Sequence, residues 1–338
     1  MKTLHYRRFD SLEIQEFATP VPKADEVLLR VAACGLCGSE LETFHNHSPR
    51  RQPPLIMGHE FCGAVIEVGQ ETSRELIGRR FVSNSVVPCG ACVRCLRGDT
   101  HLCAHRQIFG MHRAGAFAEF VAVPANVLIP WPEEVPPAAA CLAEPLANGI
   151  HVVNLTRHLP AQTALVIGAG PIGLMCQQAL QAMRGIKVMT CDLSAGRLEV
   201  AARLGAARTI CSKDRDPAAE ALAWTGGEGV DLVVDAAGSA ATKRLSLAAL
   251  RPGGSAVWIG LHVNRLELDS YEITLPEKQV LGTYAAKKED LAEALELMRN
   301  GKVDVTSWTE TVPLEASVEA FFRMLKPGER DLKAVIVP

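Results

Sequence analysis

The run ALVIGAGPIGLMCQQALQAM, residues 164–183, constrains the fold more than any other part of this chain. An apolar stretch, ALVI, leads into Gly168-Ala169-Gly170-Pro171-Ile172-Gly173 and then into a helical pattern. Glycine makes up 27 of 338 residues, so the GxGxxG spacing alone arises by chance roughly 0.2 times in such a chain. Its place between a strand and a helix is what makes it informative. There the first glycine allows a tight turn, the second lets backbone approach a pyrophosphate, and the third lets helix pack on strand. The helix N-terminus then offers free N–H groups and its dipole to the phosphates.

The alternation continues downstream. KVMTCDL, the helical SAGRLEVAARLG, DLVVDAAG, the helical TKRLSLAAL and SAVWIG form a βαβ series, which predicts an α/β, Rossmann-type doubly wound parallel sheet. Asp192 ends the strand after the glycine motif, where an acidic group bonds the adenine-ribose hydroxyls and repels a 2′-phosphate. NAD is therefore expected over NADP, although Arg197 could partly accommodate a phosphate. Asp192 also reads as a cap for the helix that follows. Gly238 in DAAG and Gly260 in WIGLH are expected to let the chain pass close to ribose and nicotinamide.

From Leu12 to about Val127 the texture differs. VLLRVAA, GAVIEVG, GRRFVSNSV and AFAEFVAVP read as short strands punctuated by turns. A length of 338 residues suits about two domains. A helix opening on Glu289 and Asp290 and a last strand, LKAVIVP, follow the βαβ series and are expected to return to the first domain. The net charge of −3 gives no footprint for nucleic acid or an anionic membrane. The N-terminus lacks a signal-peptide apolar region. The apolar stretch Ala164–Met175 is too short and glycine-rich to span a bilayer. A cytoplasmic protein is expected, acting on a small molecule. In that reducing compartment, eleven cysteines point to metal or redox chemistry rather than disulfides.

Four of them, Cys89, Cys92, Cys95 and Cys103, lie in PCGACVRCLRGDTHLC. At this cysteine frequency such spacing is expected by chance roughly 0.0004 times per chain. Four thiolates on a turn-rich loop can converge into the closed tetrahedral shell of a structural zinc. An iron–sulfur cluster or a disulfide is the alternative. His101 and His105 read as loop surface, since four sulfurs already complete the shell.

A catalytic zinc needs three protein ligands and an open position. Cys37 in CGLCGSE, His59 in MGHEFCG and Glu144 in LAEPLANGIH supply the right types. Taken singly, each also reads as a core residue.

In order along the chain, GLCGSE, GHE, the four-cysteine lobe, the Glu-Pro pair and the dinucleotide motif resemble the zinc-containing medium-chain alcohol and polyol dehydrogenases. The resemblance covers essentially the whole chain. It implies a β-rich, GroES-like catalytic domain from residues 1–147 and 286–338, and a Rossmann domain over 148–285. It also implies Cys37, His59 and Glu144 as ligands of a catalytic zinc. Glu60 would be a nearby or exchanging carboxylate, and Ser39 the hydroxyl that bonds the substrate oxygen. Glutamate before proline at the third ligand is similar to the polyol branch, the sorbitol- and galactitol-phosphate-dehydrogenase-like enzymes. A homo-oligomer, dimer or tetramer, is also implied.

Two positions depart from the pattern. Glu40 stands where aspartate is usual, and still suits a carboxylate bonding the ligand histidine. Glu42 stands where many members carry a relay histidine, so the proton route to solvent is open. Arg50 and Arg51, in HSPRRQPP, read either as an anion-receiving pair for a sugar phosphate or carboxylate, or as a solvated loop. A threonine-type amino-alcohol dehydrogenase and a non-catalytic nucleotide-binding protein are the rival functions.

Overall fold

The computed structural model describes residues 1–326, 328 and 331–338. They divide into two compact units, Met1–Ala147 with Ala285–Pro338, and Asn148–Tyr284.

The second unit is built on a six-stranded parallel sheet. Its strands run Arg208–Cys211, Lys187–Asp192, Thr163–Ile167, Val230–Asp235, Leu250–Trp258 and Gln279–Gly282 across the sheet. In chain order this is 3-2-1-4-5-6, the doubly wound order. Ala164 to Ile167 are all buried, as a parallel strand covered on both faces must be; this is why ALVI reads as an unbroken apolar run. Helix Pro171–Arg184 follows, with Gly170 as N-cap, proline at the first position, and Gly185 closing it in the left-handed conformation. Helix Ala195–Arg203 is capped by Ser194, whose side chain accepts from the Arg197 N–H. The capping role therefore falls to Ser194, which leaves Asp192 available.

The first unit is β-rich. Its main sheet orders Leu128–Pro130, Arg80–Ser83, Glu60–Val68, Glu26–Gly35, Lys333–Val337 and Thr309–Pro313, and Phe120–Pro124 also pairs with Glu26–Gly35. LKAVIVP does return to this unit: Val335 lies opposite Gly35 and Ile336 opposite Cys34, antiparallel. Gly35 also faces Glu60 on its other side. The register thus brings the end of the chain beside GHE. An N-terminal hairpin, Lys2–Arg8 with Ser11–Glu16, begins earlier than the sequence pattern indicated.

The core of this unit is aromatic near the site. Phe44, on helix Gly38–Asn46, packs against Phe321 at 5.2 Å and Tyr6 at 5.4 Å between ring centres. Such buried pairs add about 0.5–1.5 kcal/mol beyond area burial, and here they seat the helix that carries Ser39 and Glu40. Among the described residues no helix is long and apolar enough to cross a membrane.

Candidate metal centres and dinucleotide site

Cys37 is the N-cap of helix Gly38–Asn46, and its sulfur accepts from the Ser39 N–H at 3.5 Å. Thiolate is the form of cysteine that binds metal. Glu40 closes the capping box by accepting from the Cys37 N–H with Oε2 at 3.0 Å. Its other oxygen accepts from the Gly58 N–H at 2.8 Å and meets His59 Nδ1 at 2.9 Å. One buried carboxylate therefore ties Cys37 to His59, and leaves His59 Nε2 as the ring's other ligand atom.

Cys37, His59 and Glu60 offer donor atoms that all lie within 4.8 Å of one another. Glu144 is not part of that closed set. It is buried in the first turn of helix Ala143–Leu155, where Oε1 accepts from Ser85 Oγ at 2.6 Å. Burial pushes its carboxyl up, while the charge of His59 opposes and that of Glu60 adds to the shift. Burial also disfavours a charged His59, but Glu40 and Cys37 outweigh it and raise the imidazole well above its ordinary range. A thiol, an imidazole and a carboxylate converging within 4.8 Å, with Glu144 buried nearby, make a donor set that fits a divalent cation.

Sequence reasoning missed two residues here. Lys333, almost fully buried, forms an ion pair with Glu60 Oε2; burial opposes its charge, and Glu60 more than restores it. Ser85 holds Glu144. The signal for Lys333 was a lone charge at the start of an apolar strand, which burial permits only with a partner. No local pattern marks Ser85.

Ser39 Oγ lies 3.4 Å from the Cys37 sulfur. Glu42 is exposed. Arg50 is also exposed, but Arg51 is buried and bonded to Ser39, Thr43 and Gly110. The solvated-loop reading fails for Arg51, and four of its five N–H donors are engaged by the protein.

In the lobe, sulfur–sulfur separations are 3.5 Å for Cys92–Cys95, 3.8 Å for Cys92–Cys103 and 3.9 Å for Cys89–Cys95. Zinc–sulfur bonds of about 2.3 Å set tetrahedron edges near 3.8 Å, so the four sulfurs fit zinc. Backbone N–H groups of Cys89 and His105 point at the Cys103 sulfur, each at 3.3 Å. Those of Cys95 and Ala104 bring the Cys92 thiol down to about 6. Lys287 pairs with Asp99 at 2.9 Å and anchors the loop. His105 is exposed as expected. His101 corrects the sequence reading: it is buried, because the short 3-10 turn Thr100–Leu102 folds its ring inward.

In the second unit, Gly168 has φ +96°, and a Cβ on Gly173 would run into the Gly168 carbonyl. Gly168 and Gly173 are thus required by the turn itself, whereas Gly170, at φ −75°, has room for a Cβ. Asp192 accepts from the Ala169 N–H at 2.7 Å and the Ser194 N–H at 2.8 Å, one on each oxygen. Each oxygen keeps a lone pair for a further donor. Arg197 reaches toward Gly170. Gly238 and Gly260 approach each other so closely that a Cβ on either would strike the other's backbone. Their glycines are explained by that mutual approach.

Family comparisons agree with this geometry. Residues 23–133 match the family described as alcohol dehydrogenase GroES-like domain, and residues 171–300 the one described as zinc-binding dehydrogenase. The chain is 32% identical to an L-threonine 3-dehydrogenase of Bacillus velezensis, covering 96% of this chain and 95% of the relative. It is 30% identical to a D-arabitol-phosphate dehydrogenase of Enterococcus avium, covering 95% and 93%. A Sinorhizobium meliloti 1021 protein described as a zinc-binding dehydrogenase and solved with NADP superposes with TM-score 0.91. It is 28% identical, and 100% of this chain and 99% of that one are covered.

Proposed function

Because this chain belongs to the zinc-binding medium-chain alcohol dehydrogenase family, we propose that it oxidises a secondary alcohol of the polyol or sugar-alcohol class with NAD. The supporting observation is the buried cluster in which Glu40 joins Cys37 to His59 beside Glu60 and Glu144. In this reading Cys37, His59 and Glu144 hold the catalytic zinc, and Cys89, Cys92, Cys95 and Cys103 hold a structural one. Glu60, paired with Lys333, is the carboxylate that can exchange into the shell.

When bound, zinc supplies the Lewis acidity that lowers an alcohol's pKa, and the nicotinamide supplies the hydride acceptor. Ser39 Oγ receives the substrate's proton. Glu40 holds the His59 ring, and the buried walls exclude water. Asp192, with a lone pair left on each oxygen, is suited to ribose hydroxyls and supports NAD. Glutamate before proline at residue 144 and the D-arabitol-phosphate dehydrogenase relative support a polyol. The L-threonine 3-dehydrogenase relative supports a second reading, an amino-alcohol substrate. Eleven free thiols suit a cytoplasmic setting, and a homo-oligomer is the assembly we assign.

The test is a panel of polyols, their phosphates, simple secondary alcohols and L-threonine with NAD and with NADP, alongside metal analysis. Polyol-dependent NADH formation and one zinc for each site are expected. Turnover confined to L-threonine would replace the substrate class, and a preference for NADP the cofactor. No turnover with zinc in the lobe alone would leave a nucleotide-binding protein.

A further inference from the structure

We propose that Arg51 is a positioning residue for the reaction, fixing the direction of the Ser39 hydroxyl; the proposal rests on the dehydrogenase reading above. Arg51 is 4% exposed, whereas its neighbour Arg50 faces solvent. Its guanidinium donates through Nη2 to Ser39 Oγ at 3.2 Å and through Nη1 to the Ser39 carbonyl at 3.0 Å. Nη1 also donates to Thr43 Oγ1 at 3.1 Å, and Nε to the Gly110 carbonyl at 3.0 Å. Ser39 and Thr43 lie on the helix that Cys37 caps. A rigid, planar fork of donors therefore holds the first two turns of that helix from one side.

The chemistry follows from what each group can exchange. A serine hydroxyl has one donor and two acceptor lone pairs, whereas a guanidinium only donates and does not deprotonate. Arg51 therefore occupies one Oγ lone pair and can never take the proton. The hydroxyl's own hydrogen is turned toward the Cys37 side, where the sulfur lies 3.4 Å away. One lone pair remains to accept the hydrogen bond of the substrate's hydroxyl. Arg51 stays cationic throughout. A lysine at 51 would have the charge but not the fork.

The test is a double-mutant cycle with Arg51→Lys, Ser39→Ala and the double variant, on the alcohol the native enzyme prefers. Arg51→Lys is expected to lower kcat roughly 10–100-fold with KM little changed. In the Ser39→Ala background it should cost nothing further, because the two act as one unit. Additive losses, or a change in KM alone, would overturn the proposal. Thr43→Val, which removes a single arginine acceptor, serves if Arg51→Lys does not fold. It should lower kcat only while Ser39 is present, and equal losses in both backgrounds would count against the idea. A urea-unfolding cycle on the same proteins reads the Arg51–Ser39 bond without turnover: coupled losses support it, independent losses refute it. An inert native enzyme would sink the dehydrogenase reading, while the unfolding cycle still decides for or against the bond.

Discussion

Glu40 has no solvent exposure, and both its oxygens are engaged on the site, with Cys37 N–H on one and Gly58 N–H and His59 on the other. Glutamine has a single acceptor oxygen and an NH₂ that would face a donor, so it cannot serve all three partners. Glu40→Gln is expected to weaken the catalytic metal by about 10–100-fold, the usual cost of losing a group that orients a ligand histidine. Zinc retention in a chelator titration measures this, and an unchanged profile would contradict the role.

At the scale of elements, the parallel sheet depends on pins at the strand ends away from the glycine turn. Asp231, on strand Val230–Asp235, accepts from the N–H groups of Gln162 and Thr163, from Thr163 Oγ1 and from Arg251. It joins its own strand to Thr163–Ile167 on one side and Leu250–Trp258 on the other. Burial would push its carboxyl up, but Arg251 and these N–H groups outweigh burial and hold it below the ordinary 3.8. A depressed folded-state value stabilises the fold above the unfolded value, and that contribution disappears as pH falls through the folded one. Asp231→Asn should therefore cost about 1–3 kcal/mol near neutral pH. The gap should shrink once native Asp231 is itself protonated. Urea unfolding near neutral pH and again in acid, where Asp231 is protonated, checks this; a gap independent of pH would exclude the ionic role.

At the scale of the whole molecule, two separate groups of residues able to hold a metal lie within the first unit. The lobe's four sulfurs are arranged without help from Cys37 or His59, and Lys287 with Asp99 fastens it. Cys95→Ser is expected to empty the lobe while the catalytic centre keeps its zinc. The melting temperature should fall by about 5 °C or more, since structural zinc contributes folding energy directly. Metal analysis and calorimetry measure the two effects separately. Loss of both metals together would show that the lobe and the catalytic centre are coupled.

Features carried by a few consecutive residues were legible in the sequence because chain geometry alone determines them. The strand–glycine–helix unit at 163–184 and the four-cysteine lobe belong to this class. Cys37, His59 and the glutamates could be proposed only through resemblance, because nothing local brings them together. Strand register does that, by setting Gly35 between Glu60 and Val335 and so placing Lys333 against Glu60. The same limit explains Arg51 and His101, two polar residues in turn-rich segments that composition assigns to solvent and packing turns inward. Local spacing determined the four-cysteine lobe and the glycine turn. Tertiary structure alone decided which buried charges support the Cys37 and His59 site, because a buried charge is stabilised by partners that are distant in the chain.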